Sequence, residues 1–315
     1  MCLFSVMGIA PLRLTRNSVA GERFPAYAAP MTLPSHRQWL GVAACALVFY
    51  LGSHALHADD VSPWDGDARS SARLIAGSRA TGSDAALLRA GIEIKLAPGW
   101  HTYWRYPGDA GVPPKIDLAD SVNVATADVL WPAPQRLPEA GLVAIGYDKS
   151  FVLPLRVVPR ERSRPVVLRL KLDYAVCEKL CVPAQARGEL ALTAGSPSQD
   201  AALGAAESRV PKKHALGEGD ALIIRSVRRE QGAGRGRVVV DIAAPAGERV
   251  ELFAEGPSAQ WSLPVPTAIE GSGDGSQRFA FDLDGAPPGE SYNQLAVTLT
   301  AVSPKAAIEV ATRLD

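Results

Sequence analysis

The sequence is poor in the groups on which most catalytic sites are built. Its 315 residues include five histidines and four cysteines, and beyond residue 58 only His101, His214, Cys177 and Cys181 remain. Methionine is missing beyond Met31, because Met1, Met7 and Met31 are the whole complement. Lys+Arg and Asp+Glu number 33 each, so no net charge points to nucleic acid or an anionic membrane. No glycine-rich phosphate loop follows a strand and no nucleophile elbow occurs, which argues against nucleotide enzymes and hydrolases of those types. No sustained apolar period of 3.6 residues marks a long amphipathic helix.

What is present begins with a targeting signal. Arg37 precedes an apolar run from Trp39 to Leu51, followed by small residues at Ser53, Ala55 and Ala58. This is the charged, apolar and small-residue order of a secretory signal. The run falls short of the roughly 20 residues a membrane span needs. Met31 is read as the start and cleavage is placed after Ala55 or Ala58, so residues 1–58 are leader. Val42-Ala43-Ala44-Cys45 superficially matches a lipoprotein box. The apolar segment ahead of it is very short and Ala46 to Leu51 stays apolar, so lipid anchoring at Cys45 is not expected.

The remainder reads as all-β, with two immunoglobulin-like sandwiches in tandem. Residues 59–197 supply short strand candidates, among them Gly91–Leu96, Val124–Trp131, Gly141–Leu155 and Val166–Leu192. Proline-rich turns at Pro132–Pro134 and Pro138 interrupt them. Residues 198–218 change to Ser, Ala, Gly and charge, and read as a linker with a short helix over Asp200–Arg209 capped by Ser198. Residues 219–315 return to strands at Val238–Val240, Val250–Phe253, Phe279–Phe281 and Leu295–Leu299, a second sandwich with Trp261 in its core.

The stretch Val166–Leu192 organises the chain. Val166, Leu168, Leu170, Leu172, Tyr174 and Val176 alternate with Arg169, Lys171 and Asp173, the period of a half-buried strand. Cys177 and Cys181 follow, and then a second strand. On one continuous strand residues four apart lie roughly 13 Å apart. A disulfide needs Cα atoms within roughly 4.4–6.8 Å, which a hairpin provides and a straight strand does not. A short helical turn would serve as well. The alternation places Val176 and Val182 inward and both cysteines on the outer face, within reach of another protein.

Three chemistries fit that pair. A staple is one, although so short a loop gains little unfolded-state entropy. A metal is the second: Cys-x-x-x-Cys with His101 suits Zn(II) or Cu(I). Structural zinc prefers four ligands and copper lacks a thioether here, so neither metal nor other cofactor is expected. Thiol–disulfide exchange is the third and fits best, since it needs two cysteines that close reversibly and are exposed. Glu178 and Asp173 oppose a thiolate, Lys179 partly offsets them, and the stiff Val182-Pro183 follows Cys181. Together these assign the more stable thiolate to Cys181 and make Cys177 the sulfur that partners attack. A different class remains open, a non-enzymatic binding module with a structural disulfide and a ligand surface formed by Trp100–Tyr106.

The segment LDYAVCEKLCVPAQARGELAL resembles the cysteine region of the N-terminal periplasmic domain of the thiol:disulfide interchange protein DsbD, in its copper-sensitivity-suppressor branch, ScsB. The likeness extends over PGWHTYWRYPGDAGVPPKIDL, VLWPAPQRLPEAGLVAIGY and FVLPLRV, roughly residues 70–195. The resemblance implies an immunoglobulin-like sandwich in the periplasm, with Cys177 and Cys181 as the redox pair. It places Trp100 and Tyr103 among aromatics near the pair, and Pro138, Glu139 and Leu142 in a cap loop over it. The partners it implies are periplasmic thioredoxin-like proteins and a membrane electron donor. The membrane and thioredoxin-like domains of that family do not follow within these residues, so a protein-disulfide reductase component, standing alone, is the expectation.

Overall fold

The computed structural model describes residues 60–80, 87–139, 141–192, 198–231, 236–271 and 276–314. The leader, with its proposed start at Met31 and its Cys45, lies outside the described residues. Among the described residues no helix is long and apolar enough to cross a membrane.

Two β-sandwiches make up the structure. In the first, β1 (Asp65–Gly66), β2 (Ser70–Arg79), β3 (Leu88–Leu96), β4 (His101–Gly108) and β5 (Lys115–Asp117) are followed by β6 (Val124–Val129) and β7 (Gln135–Glu139). Then come β8 (Leu142–Tyr147), β9 (Phe151–Pro159), β10 (Val166–Cys177) and β11 (Cys181–Leu192). One sheet has the order β1-β2-β3-β9-β6, and the facing sheet β11-β10-β4-β8-β7 with β5 on β10. Inward residues such as Leu74, Ile92, Leu153, Leu155, Leu168 and Leu172 are buried between them. On β10 the even-numbered apolar residues face in while Arg169, Lys171 and Asp173 face solvent, as the alternation demanded.

The helix α1 (Asp200–Glu207) packs on this sandwich rather than standing free. Leu203 is buried, and an added Cβ at Gly77 or Gly91 would collide with it, so two glycines open the slot it fills. Arg89 ties the helix down through Asp200 and Glu207. The expected cap is not made. Gln199 occupies the N-cap without a side-chain bond, and Ser198 Oγ instead donates to Asp60 at 2.6 Å.

The second sandwich comprises β12 (Lys212–Lys213), β13 (Ile223–Glu230), β14 (Arg237–Ala243), β15 (Glu251–Glu255), β16 (Thr267–Ile269), β17 (Gln277–Asp282), β18 (Ala296–Val302) and β19 (Ala307–Arg313). Its sheets run β12-β19-β18-β15 and β13-β14-β17-β16. Trp261 lies in its core, in an edge-to-face contact with Tyr292.

The two sandwiches share that core. Trp104 and Tyr106 of β4 and Ile145 and Tyr147 of β8 are buried in one cluster with Phe253, Leu252 and Leu263. Polar contacts close the seam. Arg105 bonds Glu255 at 2.6–2.8 Å and also pairs with Glu309, and the Tyr106 hydroxyl donates to the Leu263 carbonyl at 2.7 Å. Burial works against the charge on Arg105, and the two carboxylates more than offset it. Arg136 of β7 donates to the carbonyls of Leu252 and Pro266.

Two local expectations are corrected. Pro138 lies inside β7 and not in a turn. That strand is the edge of its sheet, where a residue without an N–H breaks no ladder bond. The aromatic stretch Trp100–Tyr106 offers no ligand surface, because Tyr103, Trp104 and Tyr106 are all buried.

Candidate functional site

The hairpin of β10 and β11 brings Cys177 opposite Cys181 with Cα atoms 4.1 Å apart, and the two form a disulfide. Exposed Glu178, Lys179 and Leu180 make the connecting loop. Cys177 also lies opposite His101 of β4, so His101 and Tyr103, two residues apart on that strand, share its face of the sheet. Across β4 stands Gly146 of β8, and across β8 stand Leu137 and Glu139 of β7, opposite Ala144 and Leu142. Tyr103, Leu137, Ala144, Ala175 and Cys177 bury one another there in a small cluster, separate from the sandwich core.

That cluster corrects the expected exposure of the pair. Both cysteines do leave the inner face, but only Cys181 is exposed, whereas Cys177 is 2% exposed. A flat five-stranded array would hold its edge strands roughly 19 Å apart at about 4.8 Å per spacing. Here Glu139 on edge strand β7 reaches Cys181 on the opposite edge, with its Oε1 3.0 Å from Sγ. The sheet is therefore strongly curled at this end. The register shift in β4 between Tyr103 and Gly108 supplies the bend, as a bulge does.

Tyr103 sits at the centre. Its hydroxyl is 2.7 Å from Cys177 Sγ, 3.2 Å from Cys181 Sγ, and 2.9 and 3.0 Å from the two oxygens of Glu139. Neither sulfur of a disulfide carries a proton, so the phenol is the donor and the carboxylate is its best acceptor. Burial, and then the Glu139 carboxylate, push the phenol well above its ordinary range, so it stays protonated. Gly111 makes room for the ring: its φ is +105°, and a Cβ there would fall 2.3 Å from the ring edge. His101 completes the group, with Nε2 3.4 Å from Glu139 Oε2.

Of the residues singled out from the sequence, Cys177, Cys181, Tyr103 and Glu139 meet, and His101 joins them. Pro138 and Leu142 lie on the β7–β8 hairpin, where Leu142 is half exposed. Trp100 does not reach the sulfurs; it packs against the sandwich core with Arg69 over its ring. Asp109 lies in the turn after β4, its N–H bonded to the Val143 carbonyl. Leu137, Ala144 and Gly111, which shape the pocket around Tyr103, were not singled out. An alternation across Gln135–Glu139 would have found Leu137 had Pro138 not masked the strand.

The arrangement gives a disulfide with one buried and one exposed sulfur, flanked by a proton donor and a carboxylate. Residues 72–193 match the family described as "Thiol:disulfide interchange protein DsbD, N-terminal". No curated protein matches the chain in sequence. Among solved structures, the N-terminal periplasmic domain of ScsB from Proteus mirabilis is similar, with a TM-score of 0.62 at 20% identity. That match covers 81% of this chain and 98% of the other, so it takes in both sandwiches. Over residues 72–193 the chain carries a DsbD-like N-terminal domain.

Proposed function

We propose that the protein exchanges electrons with partner proteins through Cys177 and Cys181, in the compartment to which the leader exports it. The observation that carries the reading is the asymmetric disulfide, with Cys181 open to solvent and Cys177 covered under the Tyr103 hydroxyl. In the reductive direction a partner thiolate attacks Cys181 Sγ, and the S–S electron pair leaves on Cys177. Tyr103 donates to the thiolate forming there, which lowers the cost of its departure. The partner's second thiolate then attacks the partner sulfur of the mixed disulfide and releases Cys181. The partner ends as a disulfide, and this pair gains two electrons and two protons. In reverse, Glu139 is placed to take the proton from the Cys181 thiol.

Exposed Leu180 beside Cys181 and exposed Leu142 on the hairpin give the site an apolar rim. We assign it to a thioredoxin-like partner, the class that the family resemblance implies. A membrane donor, a periplasmic location and a part in copper tolerance belong to the same proposal. So does the division of labour in which residues 59–197 do the chemistry, 198–218 connect, and 219–315 support.

Attack at Cys181 reverses the choice of sulfur made from local charge, because a buried sulfur is closed to a partner whatever its leaving ability. The test is trapping. Cys177→Ser, which keeps the exposed thiol, is expected to hold partners in mixed disulfide, and Cys181→Ser to hold few. Mass spectrometry across redox buffers accompanies it. A pair that resists reduction until the protein unfolds would make it a staple and end the proposal.

A further inference from the structure

We propose that the reduced site binds a zinc ion through Cys177, Cys181, His101 and Glu139. The inference rests on the redox reading above, because zinc is held by thiolates and only reduction of the disulfide supplies them. His101, Glu139 and Cys177 already present ligand atoms that all lie within 4.8 Å of one another. The imidazole nitrogen and one carboxylate oxygen are 3.4 Å apart, and the other oxygen is 3.0 Å from Cys181 Sγ. A tetrahedral ion with bonds of about 2.0–2.3 Å holds its ligands roughly 3.3–3.8 Å apart. The cluster has nearly that spacing before any ion enters. Opening the S–S bond lets the two sulfurs move apart by the remaining distance.

Charge points the same way. Reduction leaves two ionisable thiols beside the Glu139 carboxylate, which the His101 imidazole approaches to 3.4 Å. Three anionic ligands would repel one another there, and a dication bound among them turns that repulsion into coordination. The Tyr103 hydroxyl, 2.7 and 3.2 Å from the two sulfurs, can donate to the thiolates and orient them as outer partners of metal ligands do. Two thiolates with an imidazole and a carboxylate suit zinc better than Cu(I), which prefers softer donors throughout. Glu139 is the fourth ligand that sequence spacing did not reveal. On binding, the dithiol gives up two protons to solvent, and the metal occupies both nucleophiles. The zinc form therefore exchanges no electrons, and zinc guards the reduced pair until a partner or chelator removes it.

The test uses reduced and oxidised full-length protein, with free thiols counted first under native conditions. Each form is titrated with zinc against a chromophoric chelator, and with cobalt(II) to read thiolate-to-metal absorption. One zinc per reduced chain and none per oxidised chain is expected. His101→Ala and Glu139→Gln should each weaken binding by at least about 10-fold, the loss that even outer partners produce, with two thiols still counted. Binding that ignores both substitutions, that is equal in the oxidised protein, or that is absent when two thiols are counted overturns the zinc site. If no thiols can be counted, the electron-exchange reading fails first and the zinc site with it.

Discussion

Tyr103 has one proton and four acceptors around it, and its chemistry follows from how that proton is shared. While the disulfide is closed, Glu139 accepts the hydrogen bond; in the proposed exchange the departing Cys177 thiolate, whose sulfur lies 2.7 Å away in the disulfide, becomes a second charged acceptor. A hydrogen bond to a charged group contributes about 1.5–3 kcal/mol. Tyr103→Phe is therefore expected to slow exchange with a small dithiol by about 10- to 100-fold, with the fold unchanged by circular dichroism. An unchanged rate would show that the phenol only fills space. At this scale the sequence was half legible. Strand geometry excluded a straight strand through the two cysteines and left a hairpin or a short helical turn, of which the hairpin is observed. Which sulfur is open did not, because burial of Cys177 depends on Tyr103, Leu137 and Ala144, which arrive from three other strands.

Strands β4 and β8 must meet closely for the site to form, and Gly146 is where they do. A Cβ there would fall 2.0 Å from the Thr102 carbonyl oxygen, so the pair has to separate. Gly146→Ala is expected to destabilise the protein by about 1–3 kcal/mol, the usual cost of overpacking, and to slow exchange as Tyr103 shifts. Gly204→Ala makes the opposite case. It lies within α1 with nothing within 4 Å of its Cβ position, and should add about 0.4–1 kcal/mol in urea titration. Elements built on clean alternation, such as β10, are legible in the order of their residues. Strand β7 is not, because Pro138 reads as punctuation unless the strand is known to be an edge.

Since Trp104, Tyr106, Ile145 and Tyr147 pack into the core of the second sandwich, the two halves should unfold together. Scanning calorimetry is expected to give one transition. Arg105→Met leaves Glu255 and Glu309 facing each other at the seam, and breaking a largely buried ion cluster costs about 3–5 kcal/mol. The pH response follows from four buried phenols, Tyr174 among them. Tyr103, Tyr106, Tyr147 and Tyr174 are all raised above their ordinary value of 10.0, by burial first. Their folded values exceed the unfolded ones, so their share of stability is whole below pH 10 and falls as the pH rises above it. Melting temperature should drop across that range, and Tyr147→Phe should soften the drop. The tandem β architecture was visible in the regular strands and turns. The shared core was not, because an apolar strand does not say which neighbour covers it.

The β7–β8 hairpin is buried on both sides for unrelated reasons. Arg136, Val143, Ile145 and Tyr147 point to the second sandwich, while Leu137, Glu139 and Ala144 point to the disulfide. Neighbouring codons thus answer to different demands. In a saturation mutagenesis experiment scored once for abundance and once for redox turnover, this stretch should split into two interleaved stripes. Odd positions of β8, and the close-packed Gly146, should fail in the abundance score, while Leu142 and Ala144 should keep abundance and lose turnover. Drift in the chemistry can then proceed along the hairpin without eroding the fold, one residue in two.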